Sequence, residues 1–543
     1  MYISNNGINS TVQPSKNASS ASGATYVGAL FTFNTTIVNS RVGISWISKD
    51  QACQNVKSQI PKGTTFNSVV EDTKKIWNSE ILSKITTTAT NITSLELLYT
   101  SLYFMNLLPT NQTGENPGWK SSEPYWQDIF TFWDTFRCST SLMHIITPTA
   151  YAQFIRSLID IWRYDGYLPD GRSSNYNGRT QGGSNADNVL ADAYVKGVRD
   201  GINWKDGYAA MVKNAEVTPS NPIPDAMAPD SSTKEGRGAL PDWLKHGFIT
   251  TRFSRSVSRA IEYAYNDFSL YQVAQGLGNK SKEAKKYLKR SQNWRNHWNP
   301  DTEALGSKGF MMPRNETSFL SYDPLASGGY WQDPFYQASS FIYSFGDIHD
   351  MATLVKRMGG EKGFLDRLDT VFRVGGNPAN PNGVLYDSTN QPSFNLGYLY
   401  NFINRADRSV LQTRQVAKND FDTSPRGLPG NSDAGAMQTW LLWNMIGLYP
   451  ITGQTTFLIH GPWFDSMTID LGNRKSLKIT ATGGDGNGDT NIYVQSLKVN
   501  GKKWNKNWLT WDDVFKKGGT MEYVLGPEPT RWDTGKLPPS PAS

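Results

Sequence analysis

Residues 421–450, FDTSPRGLPGNSDAGAMQTWLLWNMIGLYP, place Asn431, Ser432 and Asp433 in a Gly- and Pro-dense loop. An apolar segment with helical spacing follows at once: Met437, Trp440, Leu441, Asn444 and Leu448. A carboxylate at a helix entrance has two readings. It can be an N-cap, where Ser and Asp accept the orphan N–H groups of the first turn. It can equally be a catalytic base or a metal-site loop, because reactive groups sit on loops that a packed scaffold holds still.

The scaffold around this loop is large. A chain of 543 residues with 38% hydrophobic residues exceeds what one core organises, so two or more domains are expected. The 12% aromatic content, with 18 Trp and 25 Tyr, suits a sugar cleft as well as a core. A net charge of +6 is spread thinly, and the lysines of 280–289 and 502–506 read as solvated faces, not as a nucleic-acid or membrane patch. There is no Cys/His ligand array, no phosphate-binding G-x-x-x-x-G-K-[ST] loop and no apolar run long enough to span a bilayer. The two cysteines, Cys53 and Cys138, leave pairing open. Seven N-x-[ST] triplets, at Asn9, Asn17, Asn34, Asn91, Asn111, Asn279 and Asn315, favour a secretory route, although residues 1–25 lack a signal-peptide h-region.

Residues 26–48 alternate apolar and polar types and predict two or three strands, too few for a domain. From about residue 50 the period turns helical. Helices are expected at 92–106, 127–145, 148–162, 188–200, 205–214, 254–266, 267–277, 282–297, 337–357 and 395–417. Pro148 marks a first turn, and Tyr151, Phe154, Ile155, Leu158, Ile161 and Trp162 form one stripe behind it. Long loops at 163–186 and 298–334 separate the helices, and loops of that length are usually functional. Paired helices with long loops on one face predict a mainly α fold, an α/α toroid; no fixed period supports a stacked repeat. Strands return at 455–460, 467–470, 476–482, 490–499 and 520–525, read as a small C-terminal β-sandwich, and the Pro-rich tail from 527 is expected to fray.

Five stretches then resemble glycoside hydrolase family 92, the calcium-dependent α-mannosidases of bacteria and fungi. They are the opening stretch, FTFWDTFR at 130–137, GGSNADNVLADAYVKG at 182–197, GGYWQDPFYQASSFIYSFGDIHDMATLVKRMGG at 328–360 and TNQPSFNLGYLYNF at 389–402. The resemblance implies a remnant of an N-terminal β-sandwich at 1–48, a helical linker at 49–86, an (α/α)6 barrel at 87–450 and a β-region at 451–526. It implies a secreted enzyme that releases terminal mannose from glycans with inversion, and Ca2+ bridging two mannose hydroxyls. Asp433 matches the base, and Asn431 a second position that carries an acid or amide. Trp133 and Asp134 match a mannose-contacting pair, with Trp331 alongside. The ion's ligands are expected around Thr389, Asn390 and Gln391, and His349–Asp350 match a structural dipeptide.

Two departures stand out. Gln337 falls where most members carry the catalytic Glu, and Asn390-Gln391-Pro392 replaces N-E-P, which lowers the charge of the ion site. Glutamine donates no proton as an acid. Three explanations follow. A phosphate leaving group, as in mannose-1-phospho-6-mannose diesters, needs no acid. Another acid, Asp333, Asp347 or Glu316, could take over. The chain could instead be a catalytically dead mannose-binding relative.

Overall fold

The computed structural model describes residues 32–220, 232–326, 331–377, 380 and 382–543, together with the backbone of Tyr2–Ser4, Gln13–Pro14 and Tyr26–Gly28. Two compact units, 1–69 and 70–543, divide the chain. In the first, those three short strands form an antiparallel sheet with Tyr2–Ser4 in the middle, and the helix Lys49–Gln59 follows, its N-terminus capped by the Ser48 side chain. Residues 32–48 contain no strand, contrary to the sequence expectation, and 29–31 lie outside the described residues. The physical reason is that a strand exists through its ladder. Here Ile37, Val42 and Ile44 stay about three-quarters exposed, at 77%, 76% and 77%, so their alternation buries nothing.

The second unit is helix-rich with sheets. Its longest helix, Ser256–Gly276, replaces the two expected helices that would have met at Asp267. Asp267 looks like a helix start in sequence because Asp favours caps. Inside the helix it is instead fully buried, accepting from Arg237 at 2.7 Å, Arg290 at 2.6 and 2.8 Å and Trp243 Nε1 at 2.8 Å. With its charge answered, the helix runs through.

Three other expected helices break where a side chain caps or the backbone turns left-handed. The 127–145 segment divides into a short strand at Trp126–Gln127, a turn of helix Phe132–Thr135 capped by Thr131, and Ser139–Ile146. The 337–357 segment divides into Ser340–Tyr343, capped by Ser339, and Met351–Arg357. The 395–417 segment is a 3-10 stretch, Leu396–Ile403, then Asn404 at φ 51°, then the helix Ala406–Asp420. The loop read at 298–334 holds a hairpin, Trp298–Ala304 with Ser307–Met311, and the helices Leu240–His246 and Gly360–Phe372 were also unforeseen. The helix Pro148–Asp165 carries its stripe as expected, with Pro148 in the first turn.

All five expected C-terminal strands form. Four of them belong to a six-stranded sheet, ordered Lys502–Trp504, Tyr493–Val499, Gly519–Gly526, Ser476–Thr482, Ser466–Asp470 and Ile85–Thr87. The last strand comes from the end of the expected helical linker, pairing Met467 with Thr87 and Ile469 with Ile85. A second sheet joins Leu448–Pro450, Thr456–Ile459 and Trp508–Thr510. The tail is not frayed. Ala542 N donates to His349 O at 3.0 Å, Gln292 and Arg295 donate to Ala542 O, and Ser543 Oγ donates to Asp350. His349 and Asp350 are thereby structural, as expected, and Asp350 also accepts from Trp294 and Arg295. No described helix is long and apolar enough to cross a membrane.

A buried polar network joins the GGSNAD segment to this frame. Arg237 spans Asp187 at 3.1 Å, Asp267 at 2.7 Å and Ser184 Oγ at 2.9 Å, all inaccessible to solvent. Burial pushes the Asp267 carboxyl up, but Arg290 and Arg237 outweigh it and hold it below its ordinary value. Nearby, Asp170 accepts from Asn185 N at 3.3 Å and Thr131 Oγ1 at 3.4 Å; burial pushes it up to about 7.

Two stability outcomes follow from these carboxyls. Asp267→Asn leaves two buried guanidinium groups short of their counter-charge and should remove about 3–5 kcal/mol in denaturant unfolding; an unchanged midpoint would contradict the pairing. Asp170 binds its proton more tightly folded than unfolded, so the stability it lends is full below about pH 4 and is lost as pH rises towards about 7. Asp170→Asn, which mimics the protonated form, should therefore raise Tm above wild type at pH 8 and not at pH 4.

Candidate active site

Asp433 is not the helix cap. The helix Ala436–Ile446 begins after Gly435 without a side-chain cap: Ala436 N and Met437 N donate to the backbone carbonyls of Asp433 and Ser432 at 3.1 and 3.3 Å, while the Ser432 hydroxyl accepts from Gly435 N at 3.1 Å and donates to Gln438 Oε1 at 2.9 Å. All eleven residues of that helix are buried, so the loop is mounted on an immobile support. Gly435 is required there: at φ 81° it passes so close to Met105 that a Cβ would sit 2.4 Å from the Met105 Cα. Asp433 and Ala434 are themselves left-handed, at φ 48° and 55°. Such conformations at non-glycine residues store roughly 1–3 kcal/mol each and persist only where packing imposes them.

The Asp433 carboxylate is held from across the site. Gln391 Nε2 donates to Asp433 Oδ2 at 2.5 Å. An ionised carboxylate only accepts, so the amide nitrogen faces it and Oε1 faces away. That Gln391 Oε1 is buried without a hydrogen-bond partner. Burial raises the Asp433 carboxyl above its ordinary value, and the Gln391 bond opposes the rise.

Trp133 and Asp134 come from the turn of helix that Thr131 caps. Close approach explains the glycines of the GGSNAD segment: a Cβ on Gly182 would meet Trp133 Cζ3 at 2.2 Å, and one on Gly183 would meet Asn266 Oδ1 at 2.6 Å. Trp133 Nε1 donates to Gln337 Oε1 at 2.9 Å. Indole is a donor only, which orients the Gln337 amide with Nε2 turned away from Trp133. Gln337 is also left-handed, at φ 60°. Asp134 is buried and its Oδ2 has no partner. Burial, then the charge of Asp433, push its carboxyl well above the usual range against the pull of Arg137.

The other expected residues divide. Trp331 packs on Tyr336 at a tilt with centroids 4.9 Å apart, and Tyr336 meets Trp133 edge-on at 5.4 Å. Asn431 is exposed. Thr389 and Asn390 turn to a residue the sequence reading missed, Asp387, donating to it at 2.6 Å each. Asp387 and Asn390 line a cleft of about 380 Å³ with Gln337, Ser339 and Tyr386. That volume lies within the range of small-molecule sites. Tyr336 was also missed, as was Gln181, which donates to its hydroxyl at 2.9 Å. No signal short of the fold distinguishes them from core polar residues.

Two of the candidate substitute acids are unsuited to the role. Asp347 is fully buried with both oxygens unpartnered, out of reach of a substrate, and Glu316 is 63% exposed beside His246 and Lys245. Among the described residues no three His, Cys, Asp or Glu side chains gather as a metal cluster. The donor set still fits a hard cation in kind: the orphaned Gln391 Oε1 and the carboxylate of Asp433, which Gln391 Nε2 contacts, are both oxygen donors. Thr389 and Asn390, committed to Asp387, do not join them through the bonds they make here.

A model of the glycosyl hydrolase family 92 catalytic domain matches residues 51–527. A protein of Arthroderma benhamiae described as an uncharacterized secreted glycosidase is 33% identical over 537 residues, covering 93% of this chain. The chain spans 63% of that relative's length. Among solved structures, a family GH92 alpha-mannosidase of Bacteroides thetaiotaomicron superposes with a TM-score of 0.78, and its complex with mannoimidazole with 0.79. Both are 25% identical, over 91% of this chain and 64% of theirs. A family GH92 inverting mannosidase of the same bacterium, 23% identical with a TM-score of 0.79, covers 90% of this chain and 66% of its own and shares the fold. With the family model matched across most of its length, the chain belongs to glycosyl hydrolase family 92.

Proposed function

We propose that the protein is an inverting α-mannosidase-type hydrolase that releases terminal mannose, in the secretory pathway or outside the cell, with phosphomannosyl diesters as its specialised substrate. The helices of 87–450 are the (α/α)6 barrel in this reading. Residues 49–86 are the linker, and 451–526 a C-terminal sandwich. The observation that carries the reading is the setting of Asp433: a carboxylate that caps no helix, pinned through one oxygen by Gln391 and mounted on a buried helix.

In the reaction, Asp433 takes a proton from a water as its oxygen attacks the mannose C1 from the face opposite the leaving group. The C1–O bond breaks, and its electron pair leaves with the phosphate. Trp133, edge-on to Tyr336, gives the sugar an apolar wall, and Asp134 beside it supplies a polar contact to a mannose hydroxyl. Asn431, which is exposed and on the same loop as the base, helps to hold the water in this reading. Calcium, when bound by Gln391 and Asp433, would supply positive charge to the sugar hydroxyls. Thr389 and Asn390 then act at the rim, through Asp387.

The diester preference follows from what the 331–337 segment offers a leaving group: two amides, Gln332 and Gln337, and one carboxylate, Asp333. Amides can donate a hydrogen bond to a departing phosphate but cannot give a proton to an alkoxide. A second reading, cleavage of ordinary α-mannosides, is favoured by the carboxyl of Asp134, which burial and the charge of Asp433 shift upward towards the range of a general acid.

Mannose release separates the two. Asp433→Asn should lower kcat by roughly 10²–10⁴-fold with a folded protein; wild-type turnover would remove Asp433 from the role. Gln332→Glu or Gln337→Glu should raise the rate on an α-1,2-linked mannobiose relative to an α-mannosyl phosphodiester. If neither does so and Asp134→Asn alone abolishes mannobiose cleavage, the second reading holds.

A further inference from the structure

We infer that the turns at Asn111 and Asn315 are acceptor sites for N-linked oligosaccharides. This rests on the secretory reading above and selects, among the N-x-[ST] triplets of the sequence, the two whose folded geometry suits the modification.

At both positions the hydroxyl residue of the triplet folds back onto its asparagine. Thr113 donates to Asn111 Oδ1 from its backbone N at 3.0 Å and from its Oγ1 at 2.6 Å. Thr317 does the same to Asn315 Oδ1, at 2.8 and 3.0 Å, and Ser318 N adds a bond at 2.8 Å. All of these bonds use the carboxamide oxygen; the nitrogen, which is the atom that receives a glycan, takes part in none of them. Asn315 Nδ2 has no acceptor among the described residues, and Asn111 Nδ2 donates only to Gln153 Oε1, at 3.4 Å. A glycosylated nitrogen keeps one N–H, so neither turn loses a bond on modification. Asn111 and Thr113 are exposed, as are Glu316 and Thr317 beside the half-buried Asn315.

Each turn is clamped at its base. Asn111 pairs with Trp126, Gln112 N donates to Tyr125 O at 2.8 Å, and Thr113 Oγ1 accepts from Tyr125 N at 3.1 Å. Arg314 pairs with Phe319, and its guanidinium lies 3.8 Å from the Phe248 ring centroid. Asn315 N donates to Ser318 O at 3.0 Å and Leu320 N to Pro313 O at 2.9 Å.

Two other triplets run into helices. Asn91 Oδ1 caps the helix Ile92–Met105 through Ser94 N at 3.0 Å, with Thr93 inside that helix, and Ser281 opens the helix Ser281–Arg290 after Asn279. Side chains two apart on a helix do not face each other. Asn34 is exposed, and Asn9 and Asn17 lie outside the described residues. Local turns and helices form within roughly 10 μs, far faster than chain synthesis at roughly 5–20 residues per second, so a transferase meets the local geometry. In the transfer, the bond between a sugar C1 and a lipid pyrophosphate breaks, the pyrophosphate leaves with its electron pair, C1 bonds to Asn Nδ2, and one amide proton passes to a base of the transferase.

The test sends the full chain, behind an added cleavable signal peptide, through the secretory pathway of a yeast. Releasing N-glycans with an amidase in 18O-labelled water converts each glycosylated Asn to labelled Asp, read by peptide mass spectrometry. Label should stand at 111 and 315 in most molecules and at higher occupancy than at 91 and 279. Thr113→Ala and Thr317→Ala should each lose the label at their own site and keep it at the other. An unlabelled Asn at either position in the secreted wild type overturns the inference, as does equal or higher label at 91 and 279. Recovery of the natural protein from the cytosol, with the directed chain labelled at both positions, leaves the acceptor sites standing and removes the secretory reading.

Discussion

Arg237 is the tie on which the positions of the site residues depend. Its fork reaches Asp187 on one helix, Asp267 on another and the Ser184 hydroxyl that closes the GGSNAD turn, all without contact with water. Buried charges of this kind are weak evidence of net stability, since desolvation consumes much of what attraction returns. What they impose is geometry: each partner is expensive to leave unpaired, so the helices are locked in one register. The turn so fixed carries Gly182 and Gly183 against Trp133 and Asn266, where no side chain fits.

From that lock the strain in the site becomes intelligible. Asp433, Ala434 and Gln337 hold left-handed backbones that only a stiff surround sustains. The surround is visible: an entirely buried helix behind Asp433, and Thr131 and Ser339 capping the short helices beside Trp133 and Gln337. A carboxylate on a loop this constrained spends little entropy on reaching its reactive position.

Much of this was legible in the sequence, and what was not has physical causes. The stripe of Pro148–Asp165 and the C-terminal strands are local patterns, and they formed where expected. Helix breaks were less legible. Asp267 resembles a cap until its three buried donors are seen, and Asn404 resembles helix interior until its left-handed φ is known. Residues 32–48 alternate like strands but have no ladder to join. In the site, the association of Trp133 with Gln337 and of Gln391 with Asp433 spans 204 and 42 residues of sequence, distances that no local period can report. The family resemblance drew those residues together; their partners Asp387, Tyr336 and Gln181 appeared only with the fold.

The charge logic of the site is consistent with a departing group that carries its own negative charge. In the reading proposed above, the base Asp433 is steadied by the Gln391 amide, burial and the charge of Asp433 raise the Asp134 carboxyl, and Gln337 stands where a proton donor would serve a sugar leaving group. The most direct test of this account is hydrolysis of an α-mannosyl phosphodiester in 18O-labelled water, followed by mass spectrometry and proton NMR of the first product. The account predicts the label in mannose and none in the phosphate, with the β anomer appearing first. Label in the phosphate, or α-mannose as the initial product, would contradict it.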